Sequence, residues 1–168
     1  MKRIGILSDT HGDLDPRIKE HFKDVDEIWH AGDIGSLEVI DTLKSWKPLR
    51  AVYGNIDDHL VRRETKLIER FTIEKLDVLL THIAGKPGRY SNLVNQELSK
   101  NGVPQLLVCG HSHILFVKMD ASLQMMNMNP GACGKKGFHK VNTILRFEVN
   151  GTEMVNLEAI ELGLRGKL

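Results

Sequence analysis

The sequence predicts an α/β (α+β) fold in which two mixed β-sheets pack together with helices outside. Two observations carry this. Over the first third, short apolar runs alternate with segments of helical periodicity, the β-α-β-α-β order of a parallel sheet. Over the last third, extended segments succeed one another with little helical character, as in antiparallel pairing.

Residues 3–8 form a short apolar run that suits a buried strand, and Asp15-Pro16 supplies a cap and first-turn proline for a helix over about 16–24. Residues 27–31 form a second strand, Ser36 caps a helix through LEVIDTLKSW, and 49–53 form a third strand. RFTIEKLDVLLTH predicts two strands joined tightly near 74–77. Ser91 opens a helix through about Lys100, and Asn101-Gly102 ends it. QLLVCGH is a further buried strand, and ILFVKMD, LQMMNMN and the long segment from Thr143 come after it. In that last segment Asn150-Gly151 signals a type I′ hairpin. The methionines of MDASLQMMNM read as core filling, not as a soft-metal site.

At 168 residues, 41% hydrophobic and 27% charged, the chain fits one globular domain over 1–168. The net charge of +1 argues against a nucleic-acid polymer as partner. No apolar run reaches the length of a membrane span and the N-terminus is too polar for a signal peptide. Cys109 and Cys133 have no paired spacing, so a reduced, cytoplasmic setting is expected.

The residues that close each apolar run are more informative. Asp9 and His11 close the first, Asp33 the second and Asn55 the third, while His82 ends DVLLTH and His111 and His113 end QLLVCGH and its extension. Taken singly, these are ordinary turn, cap or surface residues. Taken together, with the strand ends assembled in one sheet, they bring seven N/O donors to one place. Two carboxylates, one amide and four imidazoles without a thiolate suit two divalent ions, manganese first, with iron, zinc or nickel also matching the donors. Gly32, Gly54 and Gly110 would let backbone pass close to them.

The motifs Asp9-x-His11, Gly32-Asp33, Gly54-Asn55, His82 and Gly110-His111-x-His113 resemble those of the calcineurin-like metallophosphoesterase superfamily. NPGA at 129–132 is similar to a loop of its small single-domain members, and the chain length is nearest its short phosphodiesterase branch. The resemblance implies a sandwich of two sheets. It implies one metal held by Asp9, His11, Asp33 and His113, and a second held by Asp33, Asn55, His82 and His111, with Asp33 shared. It further implies in-line attack of a metal-bridging hydroxide on a small phosphate ester, with Asp33, Asn55 and His82 as catalytic residues. Many small relatives self-associate, so the resemblance leaves a homo-oligomer open.

Two positions depart from the pattern. Ile56 stands where many relatives carry a general-acid histidine, and an alkyl chain donates no proton. Ala84 stands where relatives carry glycine or a further histidine. The other histidines read modestly: His59 and His139 as exposed loop residues, His21 as helix surface, and His30 as either a neighbour of the site or a locally bonded strand residue. Asp57 orients the Asn55 loop, and Asp58 is surface. Specificity is expected from loops at about 12–15, 56–66, 84–90 and 131–140. The main rival function is a protein-binding scaffold on the same fold, as in a retromer subunit. A polymer nuclease is a third, lacking here a basic groove or added domains.

Overall fold

The computed structural model describes residues 1–166. Strands β1 (Lys2–Leu7), β2 (Glu27–His30) and β3 (Leu49–Ala51) pair in parallel, as the alternation predicts. Two helices link them, α1 (Arg17–His21) and α2 (Leu37–Trp46), and α3 (His59–Glu64) comes after the third strand. Next come β4 (Ile68–Ile73), β5 (Leu76–Thr81), the short hairpin β6 (Gly85–Lys86) and β7 (Arg89–Tyr90), α4 (Asn92–Asn101) and β8 (Leu106–Val108). The chain finishes with β9 (Leu115–Asp120), β10 (Met125–Pro130), β11 (Val141–Asn150) and β12 (Glu153–Leu164).

One sheet has the order β12-β11-β1-β2-β3 and the other β4-β5-β8-β10-β9. Both are mixed: β11 runs antiparallel to β1, and β4 and β9 flank the parallel set β5-β8-β10. Between the sheets lies a buried core that includes Ile4, Ile6, Trp29, Val78, Leu80, Leu106, Val108, Met128 and Phe147. Trp29 meets Phe71 and Phe147 edge-on, with centroids 5.1 and 5.7 Å away. The outer face of the first sheet is covered by Ile18 and Phe22 and by Val39, Ile40 and Leu43 of α2. On the second sheet, Leu79, Leu107 and Met125 pack with Val94 of α4.

Several local readings need correction. The first helix is shorter than 16–24, because Asp26 pairs its backbone with Arg3 and draws the chain into β2. Ser36 precedes α2, but its side chain makes no capping bond. In the last hairpin Asn150 pairs with Glu153, which places Gly151-Thr152 in the loop, and only Gly151 has positive φ. Type I′ needs positive φ at both central residues, so this turn is another type. Met125 and Met128 are buried as expected, whereas Met119 on the edge strand β9 is 47% exposed. Asp58 is not idle surface. Its carboxylate accepts the Leu60 and Val61 amides and starts α3, a helix that the apolar pattern does not announce. Among the described residues no helix is long and apolar enough to cross a membrane.

Candidate metal centre

The donors converge across both sheets, not at the edge of one. β1, β2 and β3 bring Asp9, His11, Asp33 and Asn55, while β5 and β8 bring His82, His111 and His113. Backbone bonds join the loops: Asp9 and His11 donate to the Gly32 and Asp33 carbonyls, and Gly110 donates to His82. Asp57 is a second tie. Its buried carboxylate accepts the amides of Ile34, Gly35 and Gly54 at 2.7–3.1 Å, fixing the Asp33 loop to the Asn55 loop.

Two clusters result, Asp9-His11-His113 and Asp33-His82-His111, each with donor atoms within 4.8 Å of one another. Asp33 faces both, with Oδ1 3.2 Å from His82 Nε2 and Oδ2 3.7 Å from His11 Nε2. Gly54 and Gly110 are close-approach positions: a Cβ on Gly54 would lie 2.0 Å from Asp33 Oδ1, and one on Gly110 would lie 2.8 Å from Asp9 Oδ2. Asn55 is exposed and lines a cavity with His82.

The hydrogen bonds decide which lone pairs face inward. His82 Nδ1 lies 2.7 Å from the Ala31 carbonyl, so it carries the hydrogen and leaves Nε2 bare. His139 Nε2 faces the Gly134 carbonyl and Asn142 Oδ1, two acceptors, so its Nδ1 accepts from His113 Nδ1 at 3.1 Å. That turns a bare His113 Nε2 toward Asp9 Oδ1, 3.1 Å away. Asp9 Oδ2 accepts Ser8 Oγ and the His111 amide, leaving Oδ1 free. Asp9 Oδ1, His11 Nε2 and His82 Nε2 are buried without a hydrogen-bond partner. Facing lone pairs repel unless a proton or cation lies between them, so this donor set fits divalent ions. Burial pulls the His82 pKa down, but the Asp33 hydrogen bond and the Asp9 and Asp33 charges outweigh it, so the position between these groups attracts a proton when no cation occupies it.

The backbone is strained at the same place. Asp9, His11, Asp33, His111 and His113 all have φ between 50° and 68°, and they are five of the eight described non-glycine residues with positive φ. Such conformations cost on the order of 1–2 kcal/mol each and persist where the surroundings impose them.

Other residues fall into place. His139 is half-buried against His113 and not a solvated loop residue; nothing in GKKGFHK signals that contact. Its replacement by alanine is expected to weaken divalent-ion binding by about 10–100-fold, with His21→Ala as an unaffected control, read by titration calorimetry. Asn129 of NPGA donates to the Gly110 carbonyl and to Ser112 Oγ, steadying the loop that carries His111 and His113. Ala84 is buried in the core beside Val94, and Ile56 gives the site only its amide, bonded to Asp33 Oδ1.

His30 is the locally bonded strand residue, not a ligand. Its Nδ1 accepts the Gly32 amide and its Nε2 donates to Thr10 Oγ1, which donates on to Ile34. Burial lowers its pKa to about 3, so it stays neutral when folded. The unfolded chain takes up that proton near pH 6.5. Stability is therefore expected to fall as pH drops from about 6.5, by a few kcal/mol by about pH 4. In urea titrations across this range, His30→Gln should remove roughly one proton from the slope.

The family model for the calcineurin-like phosphoesterase superfamily domain matches residues 1–152. A probable metallophosphoesterase of Methanothermobacter thermautotrophicus is 32% identical over 137 residues, covering 77% of this chain and 76% of that protein. A solved archaeal phosphodiesterase superposes with a TM-score of 0.73 at 26% identity, covering 95% of this chain and 99% of that one. Chaetomium thermophilum Vps29 shares the fold, with a TM-score of 0.73 at 16% identity over 98% of this chain and all of that one. By its matched length and its curated relative, this chain belongs to the calcineurin-like phosphoesterase superfamily.

Proposed function

We propose that this protein is a phosphoesterase that hydrolyses small phosphate diesters with the help of two divalent ions, manganese first among the metals its donors suit. The observation that carries the reading is that Asp9 Oδ1, His11 Nε2 and His82 Nε2 are buried together without a hydrogen-bond partner. Asp9, His11 and His113 would hold one ion, and His82, His111 and Asn55 the other, with one Asp33 oxygen turned to each. Ions of this kind supply Lewis acidity toward a phosphoryl oxygen and lower the pKa of water. The protein's part is positional. Ala31 and His139 fix two imidazole tautomers, Asp57 anchors the Asp33 and Asn55 loops, and Asn55 offers its amide to a phosphoryl oxygen.

Preference for a diester is supported by the likeness to the archaeal phosphodiesterase, while Ile56 favours esters whose leaving groups need no protonation. Expected on this reading is release of nitrophenolate from bis(p-nitrophenyl) phosphate with added Mn²⁺, faster than from p-nitrophenyl phosphate and abolished by EDTA. A second reading, a protein-binding scaffold, draws on the exposed Ile56, Leu67 and Ile83 beside Asn55 and His82. Failure of Mn²⁺, Fe²⁺, Zn²⁺ and Ni²⁺ alike to support hydrolysis would leave that second reading standing.

A further inference from the structure

The cavity that Asn55 and His82 line has a volume of about 460 Å³, within the range of small-molecule sites. No carboxylate among the described residues lines it, and Arg62 of α3 is its permanent charge. Arg62 is exposed, yet two contacts fix it. Its Nε donates to the Asp57 carbonyl at 2.7 Å, and its guanidinium carbon lies 4.8 Å from the centre of the Tyr53 ring. Asp57 is tied by its carboxylate to the loops of Asp33 and Asn55, so Arg62 is held to the same framework as the metal centre.

Arg17, Arg50, Arg70 and Arg146 each pair with a carboxylate. Arg62 forms no ion pair among the described residues, and neither of its terminal nitrogens has an acceptor there. A guanidinium with its stem pinned and its forked donors empty gives up little freedom when it takes an anion. A second free polar group in the cavity is also a donor. Ser91 Oγ accepts the Val94 amide that it caps, and its own hydrogen has no acceptor among the described residues. Between these donors the wall is apolar, with Leu67, Ile83 and Leu93. Donors without acceptors beside an apolar wall match a ligand arm with an apolar body and an anionic end.

We propose that this cavity binds the non-reacting arm of a phosphate diester whose far end is an anion, a carboxylate or a second phosphate, held by Arg62. The scissile phosphate then lies at the Asn55–His82 end. This rests on the phosphoesterase reading and adds a substrate class to it. Arg62 falls within the 56–66 segment from which the sequence predicts specificity.

The test compares heptyl, 6-carboxyhexyl and 6-phosphonohexyl p-nitrophenyl phosphate on the Mn²⁺-loaded protein. kcat/KM is expected to be about five-fold or more higher for an anionic arm than for the heptyl arm, a forked ion pair discounted for exposure. The larger of the two gains identifies the anion as carboxylate or phosphate. Arg62→Gln should pull the ratio toward one, and Arg62→Lys, which keeps the charge, should retain part of it. Arg63→Gln removes the same charge one residue away and should leave the ratio unchanged. Equal rates for all three esters, or a ratio that Arg62→Gln and Arg63→Gln lower alike, would overturn the anion subsite with the phosphoesterase reading intact. So would an Arg62→Gln variant that slows all three esters equally, since Arg62 would then act on the scissile phosphate. Absence of any turnover would count against the phosphoesterase reading itself. Equilibrium dialysis of 7-(phosphonooxy)heptanoate then decides the cavity separately. Weaker retention by Arg62→Gln than by wild type and Arg63→Gln supports it, and equal or no retention by all three overturns it.

Discussion

Asp33→Ala is expected to lower kcat/KM for bis(p-nitrophenyl) phosphate by at least about 10³-fold at saturating Mn²⁺. Asp33 is the side chain whose two oxygens face opposite ways, one toward His82 and one toward His11. Alanine takes a charged donor from both clusters at once, where loss of His11 would weaken one. Charge stabilisation by bound ions is worth several kcal/mol, which corresponds to three or more factors of ten. Metal analysis after dialysis should show fewer than two ions per chain. Asp33→Asn gives a graded check: asparagine tolerates the left-handed backbone of this position, so its loss reports the charge and not the shape. Activity within ten-fold of wild type for the alanine variant would remove Asp33 from the proposed reaction.

The second large effect concerns stability. Asp57→Ala is expected to cost about 3–5 kcal/mol, because it leaves the Ile34, Gly35 and Gly54 amides without their charged acceptor. For a chain of this size that is a fall in Tm of roughly 10 °C or more, measurable by calorimetry. The neighbouring Asp58→Ala should cost about 1 kcal/mol, the usual effect of losing a helix cap. The contrast is informative because the two aspartates are adjacent, yet one is buried among loop amides and the other caps an exposed helix start. A loss at Asp57 no larger than at Asp58 would show that the loops are held without it.

The two aspartates also mark where sequence reasoning stopped. The parallel strands, the Ser91–Gly102 helix and the Asn150-Gly151 hairpin were legible because period, caps and turn residues are local signals. α3 was not, since DHLVRRET is largely polar and the helix buries only Val61. The division of the strands between two sheets was also hidden. Each strand's pattern states that a face is buried, but not against which neighbour. Of the site, the donor types and their order were legible as residues closing apolar runs. The His139–His113 contact joins residues 26 apart through a glycine-containing loop, and no local periodicity encodes it.

The left-handed backbone at Asp9, His11, Asp33, His111 and His113 filters the amino acids that can occupy the centre. Aspartate, asparagine, histidine and glycine enter that conformation far more readily than β-branched or bulky residues. Swapping in longer or softer donors would add conformational strain to any change in coordination chemistry. The route left open for altering metal preference runs through the groups that aim the donors, such as His139, Asn129 and Ser8. These lie outside the left-handed backbone positions, so divergence among relatives in metal use should be written in those supporting positions.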